Sequence, residues 1–196
     1  MRNGEVPGGK MGSSNDYLVS GYGLKKYIHP DTQGDSYANL INYPWPLIRL
    51  SELYLNYAEA YNEYKGPGVE VYAALNEVRK RAGLPNVEDA WSDPSLARTV
   101  GKHLSQDGLR EIIQQERLIE LAFEGHRYDD IRRWKQAEEY FATPVQGWSV
   151  TENQAARFYT LINVGERSFI TPRDYFQPIR TEELSRNPNL IQNLGW

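Results

Sequence analysis

Residues 46–85 read PLIRLSELYLNYAEAYNEYKGPGVEVYAALNEVRKRAGLP, and this stretch decides the fold class. Apolar residues recur at the three-and-four spacing of an amphipathic helix, first over residues 50–61, with Pro46 expected in the first turn, and again over residues 71–78. Residues 65–68, which hold two glycines and a proline, end the first helix, and Gly83 and Pro85 end the second. The sequence therefore predicts a helical hairpin, similar to one unit of a tetratricopeptide array.

A hairpin of this kind cannot bury its apolar face alone, so it needs packing partners on both sides. A third helix is predicted to begin with Asp107 as its N-cap and to run through Phe123 to Gly125. A shorter helix near Tyr128 follows, continued by residues 137–141, and Thr181 begins one capped helical turn. Residues 86–106 and 142–172 are predicted to be loops. The expected architecture is mainly α-helical with long irregular loops.

The N-terminal region differs in composition from the rest of the chain. Residues 1–45 are rich in Gly, Ser, Asn and Tyr and show no sustained periodicity. We therefore expect two regions: an irregular segment over residues 1–45, typical of the interior of a larger protein, and a helical domain over residues 46–196.

Composition excludes several classes of function. The 196 residues contain no cysteine, so disulfides, thiolate metal sites and cysteine nucleophiles are absent. The net charge of −4 gives no general attraction to nucleic acid. No apolar stretch is long enough to span a membrane or to act as a signal peptide, so the chain is expected to be soluble as given. Arginine outnumbers lysine 15 to 7, which favours internal ion pairs.

The third helix carries apolar residues on opposite sides, so it is expected to be buried nearly all round. Two of its carboxylates, Glu116 and Glu120, fall on one of these apolar faces. They could be an acid/base pair, because carboxyl groups one turn apart lie roughly 5–6 Å from each other, as in a retaining glycosidase. They could instead be held by arginines, and we favour this alternative because catalytic carboxylates must face a cleft. The expected structural ion-pair network is Arg49, Glu116, Arg117, Glu120, Glu124, Arg127, Asp129 and Arg132.

Motifs for metals, cofactors and nucleophiles are missing. Glu124, His126, Asp129 and Asp130 do not follow the spacing of a known zinc or di-iron motif. Neither a phosphate-binding glycine loop nor a nucleophile elbow occurs. We expect no catalytic residues, no metal and no cofactor.

Several aromatic residues lie outside the helical patterns: Trp91, Trp148, Tyr17, Tyr22 and Tyr159. A flat ring in a loop can stack against the C–H face of a sugar, or it can simply pack under the loop. The candidate ligand-binding residues are Trp91, Trp148, Tyr159 and Tyr22.

Four stretches resemble the SusD/RagB family: residues 45–60, 74–85, 116–134 (ERLIELAFEGHRYDDIRRW) and 176–196 with its FQPIR and NPNLIQNLGW motifs. Leu194 occupies a position of the C-terminal motif at which this family usually has proline. The resemblance implies a non-enzymatic lipoprotein on the outer-membrane surface that captures oligosaccharides or other nutrients for a SusC-like TonB-dependent transporter. It also implies that the N-terminal half, with the anchoring cysteine, is missing, and that the matched Glu and Arg residues support the fold.

Three hypotheses follow. The first is a glycan-binding module that uses loop aromatics, the second a glycoside hydrolase that uses Glu116 and Glu120, and the third a scaffold whose hairpin docks the missing half or a transporter.

Overall fold

The computed structural model describes residues 18–32, 39–152 and 154–196. By its internal contacts the chain forms two compact units. We call Tyr27–Arg127 the central unit and the combination of Met1–Lys26 with Tyr128–Trp196 the flanking unit. The predicted division at residue 45 stays a prediction, and the expectations for residues 1–17, including Tyr17, and for residues 33–38 lie outside the described residues.

The central unit contains the predicted helical hairpin. Helices α1 (Leu50–Lys65) and α2 (Val69–Arg81) are followed by α3 (Val87–Ser92), a short 3-10 helix (Lys102–Leu104) and α4 (Gln106–Glu120). Helix α1 packs against both α2 and α4. The core is formed by the fully or nearly fully buried residues Leu55, Ala58, Val71, Ala74, Leu75, Val78, Val87, Leu109, Ile112, Ile113 and Leu121.

Helix α4 corrects the prediction for the third helix at both ends. The N-cap is Ser105, whose hydroxyl accepts a hydrogen bond from the Gly108 amide at 3.1 Å, and Asp107 lies inside the first turn. The helix ends at Glu120, and Phe123 adopts a positive φ of 65° in the turn that follows. Phe123 and Ile119 are exposed, so the expectation of a helix buried nearly all round was wrong.

The loop predicted for residues 86–106 was also wrong in part, because it contains α3 and the 3-10 helix. The side chain of Asn76 on α2 holds the start of α3 through two hydrogen bonds. Its Oδ1 accepts from the Val87 amide at 2.8 Å, and its Nδ2 donates to Glu88 at 2.8 Å. The first of these bonds satisfies the backbone amide at the start of α3, and the second fixes a side chain of its first turn. No local sequence pattern predicts either bond.

Four further helices follow along the chain: α5 (His126–Arg133), α6 (Ala137–Phe141), α7 (Ala155–Phe158) and α8 (Thr181–Arg186). Lys135, with a φ of 59°, separates α6 from α5, so α6 does not continue the preceding helix. Helix α8 begins at Thr181 as predicted, but its N-cap is Arg180 and no side chain caps it.

Residues 142–172, predicted to be irregular, contain an antiparallel hairpin. Strand β1 (Val145–Trp148) pairs with β2 (Leu161–Gly165), with Gln146 opposite Asn163 and Trp148 opposite Leu161. The strands are too short for an alternating pattern to stand out in the sequence. The prediction of a mainly α-helical fold is nevertheless confirmed. Within the described residues, no helix has the length and apolar character needed to cross a membrane.

Candidate functional site

Three of the four predicted ligand-binding aromatics lie together in the flanking unit. The Tyr22 and Trp148 rings are 5.5 Å apart at 37°, and the Trp148 and Tyr159 rings are 5.4 Å apart at 85°. Tyr22 is 55% exposed and Tyr159 60% exposed, whereas Trp148 is half-buried between them. We call Tyr22, Trp148 and Tyr159 the aromatic platform.

Backbone hydrogen bonds on both sides of Trp148 hold the platform. The Trp148 amide donates to the Ser20 carbonyl at 2.9 Å, which brings the chain before Tyr22 alongside β1. The next amide, of Ser149, donates to the carbonyls of Phe158 at 3.0 Å and Thr160 at 3.2 Å. These two acceptors flank Tyr159 in sequence, so both tyrosines are fixed relative to the indole.

Two glycines allow this close approach. A Cβ atom on Gly147 would lie 2.6 Å from the Ser20 Cα and 2.8 Å from its carbonyl oxygen, which is too near for any side chain. Gly21 has a positive φ of 72°, and a Cβ there would lie 3.0 Å from the Trp148 Cβ.

Amide side chains lie beside the indole. Gln146 and Trp148 are two residues apart on β1 and therefore point to the same face of the hairpin. Gln146 Nε2 donates to Asn163 Oδ1 on the opposite strand at 3.4 Å, and both side chains are exposed. The face thus presents an aromatic surface next to hydrogen-bond donors and acceptors, a combination suited to a polyhydroxylated ring.

Trp91, the fourth candidate, has a different environment in the central unit. Its ring packs half-buried against the hydrophobic core, and the Lys102 ammonium group lies 5.5 Å from the ring centroid. This environment is that of a core residue with a cation–π contact. We therefore do not place Trp91 in the candidate site.

The carboxylates of the central unit are engaged by arginines. Arg49 donates through Nη1 to Glu120 at 2.7 Å and through Nη2 to Glu124 at 2.6 Å. Arg81 donates to the second oxygen of Glu120 at 2.6 Å. The hydrogen bond to Glu124 raises the pKa of the Arg49 guanidinium, which therefore stays charged.

Glu116 pairs with Arg79 of α2, an arginine that the sequence did not single out. Arg117, itself buried, donates to Asn56 Oδ1 at 2.6 Å and lies 3.7 Å from Glu59. With these partners, Glu116 and Glu120 lie between helices and not in an open cleft. Such carboxylates are suited to holding helices together.

The remaining members of the predicted network follow Glu124 in sequence. Arg132 donates to the Tyr175 carbonyl at 2.5 Å and lies 3.9 Å from Asp129, which is largely exposed. Arg127 is half-buried at the start of α5. Over the part of the chain that the structure describes, no three His, Asp or Glu side chains are grouped so as to hold a metal ion.

The central unit also presents an apolar groove between α1 and α2. It comprises two adjoining cavities of about 310 and 490 Å³, which share Leu50, Tyr54 and Glu77. Leu50, Leu53 and Tyr57 are all substantially exposed along it. This groove is the apolar face that the hairpin leaves uncovered.

Comparisons with known proteins point to one family. The model of the SusD family matches residues 2–196. A SusD-like protein of Formosa agariphila is 36% identical over 146 residues, which are 74% of this chain and 24% of the relative. A second SusD-like protein of the same organism is 33% identical over 75% of this chain and 23% of the relative. The chain thus spans about a quarter of the length of these curated relatives.

Several solved protein structures also superpose on this chain. A protein named BT4246 superposes on all of this chain and 33% of its own, with a TM-score of 0.79 and 29% identity. A SusD-like carbohydrate-binding protein from Bacteroides fragilis matches 84% of this chain and 32% of its own, with a TM-score of 0.60 and 30% identity. A SusD-like protein from the same species matches 82% of this chain and 29% of its own, with a TM-score of 0.59 and 32% identity.

Proposed function

Because the chain belongs to the SusD family, we propose that it takes part in the non-catalytic capture of oligosaccharides. The observation that carries the proposal is the aromatic platform, with two exposed tyrosine rings around Trp148 and the Gln146–Asn163 amide pair on the neighbouring strands. The similarity to a solved SusD-like carbohydrate-binding protein supports the same ligand class.

Stacking on this platform would use the C–H face of a pyranose ring, and the amides would bond its hydroxyl groups. Rings with exposed faces contribute binding energy at low entropic cost because each tyrosine has few rotatable bonds. Several stacked sugar units can bind at once, so affinity should rise from a monosaccharide to an oligosaccharide.

Isothermal titration calorimetry against a panel of plant, host and microbial oligosaccharides tests the proposal. We expect at least one to bind, and we expect Tyr22→Ala and Tyr159→Ala to weaken it about tenfold each, the equivalent of about 1.4 kcal/mol. Tyr64→Ala is the matched control, since Tyr64 is an exposed tyrosine of α1 outside the platform. Equal affinities for all three variants would overturn the assignment of the platform.

The competing hydrolase hypothesis makes a different prediction for Glu120. If this carboxylate were catalytic, Glu120→Gln would abolish release of reducing sugar and leave the melting temperature unchanged. Because Arg49 and Arg81 both bind Glu120, we instead expect no sugar release from the parent protein and a lower melting temperature for the variant.

The wider setting is also a proposal. We propose that the whole protein lies at the outer-membrane surface, lipid-anchored, and delivers its ligand to a SusC-like TonB-dependent transporter. The groove between α1 and α2 would be covered by a helix from the rest of the protein, because the curated relatives are about three times as long as this chain. Leu53→Glu should then leave the 196-residue chain stable but destabilise a longer form of the protein.

A scaffold function without a ligand is the alternative that the groove favours. It predicts co-purification with a barrel transporter that does not depend on Tyr22 or Tyr159. Ligand binding by the isolated chain would weaken this alternative.

A further inference from the structure

We infer that the flanking unit carries a second carbohydrate site, a small cavity that accepts a single neutral hexopyranose ring. The cavity has a volume of about 250 Å³ and none of its lining residues belongs to the aromatic platform. The inference shares the ligand class of the proposed function and rests on it to that extent.

The size of the cavity limits what it can hold. Its volume is about 250 Å³. It falls below the roughly 300–1,000 Å³ of pockets that take drug-sized ligands. One sugar ring is therefore the largest unit of an oligosaccharide that the cavity could enclose.

Aromatic rings form much of the wall, and other contacts hold them in place. Phe141 and Phe169 stack in parallel at 5.7 Å, and Tyr128 meets Phe141 edge-on at 6.2 Å. Trp196 Nε1 donates to the carbonyl of Arg173 at 3.1 Å, and the Arg173 guanidinium lies 5.0 Å from the centre of a Trp196 ring. A wall fixed in this way needs little rearrangement to receive a ring.

Polar groups line the same cavity. Asp174 accepts from Arg173 Nε and from the Ile170 amide, both at 2.7 Å, and each carboxylate oxygen retains a further lone pair. The Gln177 amide and the Ser168 hydroxyl make no side-chain hydrogen bond to another described residue. These groups can accept from and donate to sugar hydroxyls without breaking an existing bond.

The ionised Asp174 carboxylate at the cavity distinguishes neutral sugars from uronic acids. The hydrogen bond from Arg173 lowers the pKa of Asp174, so this carboxylate stays ionised. An ionised carboxylate accepts hydrogen bonds from hydroxyl groups, whereas the carboxylate of a uronic acid has no proton to donate to it. Neutral hexoses should therefore bind in preference to uronates.

Saturation-transfer NMR with glucose, galactose, mannose and glucuronate tests the inference. We expect at least one neutral hexose to bind and glucuronate to bind at least fivefold more weakly. Gln177→Ala should weaken the neutral hexose at least fivefold, with Ser168→Ala as a second variant if Gln177→Ala alters the melting temperature. No binding of any neutral hexose, or equal binding by the parent protein and the folded variant, would overturn the inference.

The platform variants separate this inference from the proposed function. Tyr22→Ala should leave hexose binding in the cavity unchanged, and Gln177→Ala should leave stacking on the platform unchanged. Loss of hexose binding in Tyr22→Ala would overturn the separate site while supporting the platform. Hexose binding that persists when no oligosaccharide binds the platform would support the cavity alone.

Discussion

Arg49 binds Glu124 through two hydrogen bonds, from Nε to Oε2 at 2.9 Å and from Nη2 to Oε1 at 2.6 Å. This fork geometry makes the pair both strong and directional, and it fixes the residue before α1 to the turn after α4. The Glu124 side chain is only 8% exposed and that of Arg49 21%. Water therefore screens the attraction poorly.

Glu124→Gln should destabilise the protein by about 3 kcal/mol, because a partly buried guanidinium loses one of its two carboxylate partners. Chemical denaturation monitored by circular dichroism measures the change. Glu183→Gln is the control: its partner is Arg186, the two side chains are 50% and 73% exposed, and the expected change is below about 1 kcal/mol. Equal losses in the two variants would contradict a structural role for the Arg49 pair.

Gly147→Ala should separate Tyr22 from Trp148. The added methyl would overlap the Ser20 backbone, so the segment before Tyr22 must move away from β1. We expect altered tryptophan fluorescence and loss of oligosaccharide binding. Gly165→Ala on the paired strand is the matched control, because its nearest neighbour would be the Val145 Cβ at 4.0 Å, an ordinary contact. A Gly147→Ala protein with unchanged binding would show that the platform does not depend on this packing.

Ser105→Ala should cost about 1 kcal/mol of stability, since the Gly108 amide loses its capping acceptor. Ser105→Asp should retain most of the stability, because aspartate caps equally well and its charge suits a helix N-terminus. Thermal unfolding of the three proteins measures both effects. An aspartate variant as unstable as the alanine variant would argue against the cap.

Tyr27→Phe should improve stability at alkaline pH relative to the parent. Burial and the neighbouring Glu124 carboxylate raise the pKa of the Tyr27 hydroxyl above its usual value of 10.0. A raised pKa means that the folded state keeps its proton longer than the unfolded state, so this contribution is complete below pH 10 and is lost as pH rises through the folded-state pKa. The phenylalanine ring keeps the tilted ring contact with Trp45, whose centroid lies 4.3 Å away.

Melting temperatures of both proteins between about pH 8 and pH 11.5 test this linkage. The difference between them should be constant at the lower end and should shift in favour of Tyr27→Phe at the upper end. A constant difference over the whole range would mean that the Tyr27 hydroxyl titrates normally.

The sequence predicts the parts of this protein that depend on local periodicity. The hairpin of α1 and α2 has regular apolar spacing and glycine-containing ends, and both helices form, although α1 begins at Leu50 and leaves Pro46, which was expected in its first turn, outside the helix. The end of α4 was missed because a positive φ at Phe123 is not visible in a hydrophobic pattern. Arg79 was missed as the partner of Glu116 because the facing of α2 and α4 depends on tertiary packing.

The site illustrates the same limit. Tyr22, Trp148 and Tyr159 could be selected as aromatics outside helical stripes, but nothing in their spacing shows that they meet. Their proximity depends on the β1–β2 hairpin, whose strands are too short to give a recognisable alternation of apolar and polar residues. It also depends on Gly147, which has no side chain and so leaves space for the Ser20 backbone. Long-range contacts of this kind are what a single sequence does not encode in its local pattern.

The hydrogen bond from the Trp148 amide to the Ser20 carbonyl also bears on synthesis in the cell. Ser20 leaves the ribosome long before Trp148, and at usual rates of elongation the delay is on the order of ten seconds. During that time the segment around Tyr22 has no strand beside it. Tyr22 therefore takes its place only when translation of the β1–β2 hairpin is complete, so the platform forms after helices α1 to α4 have been translated.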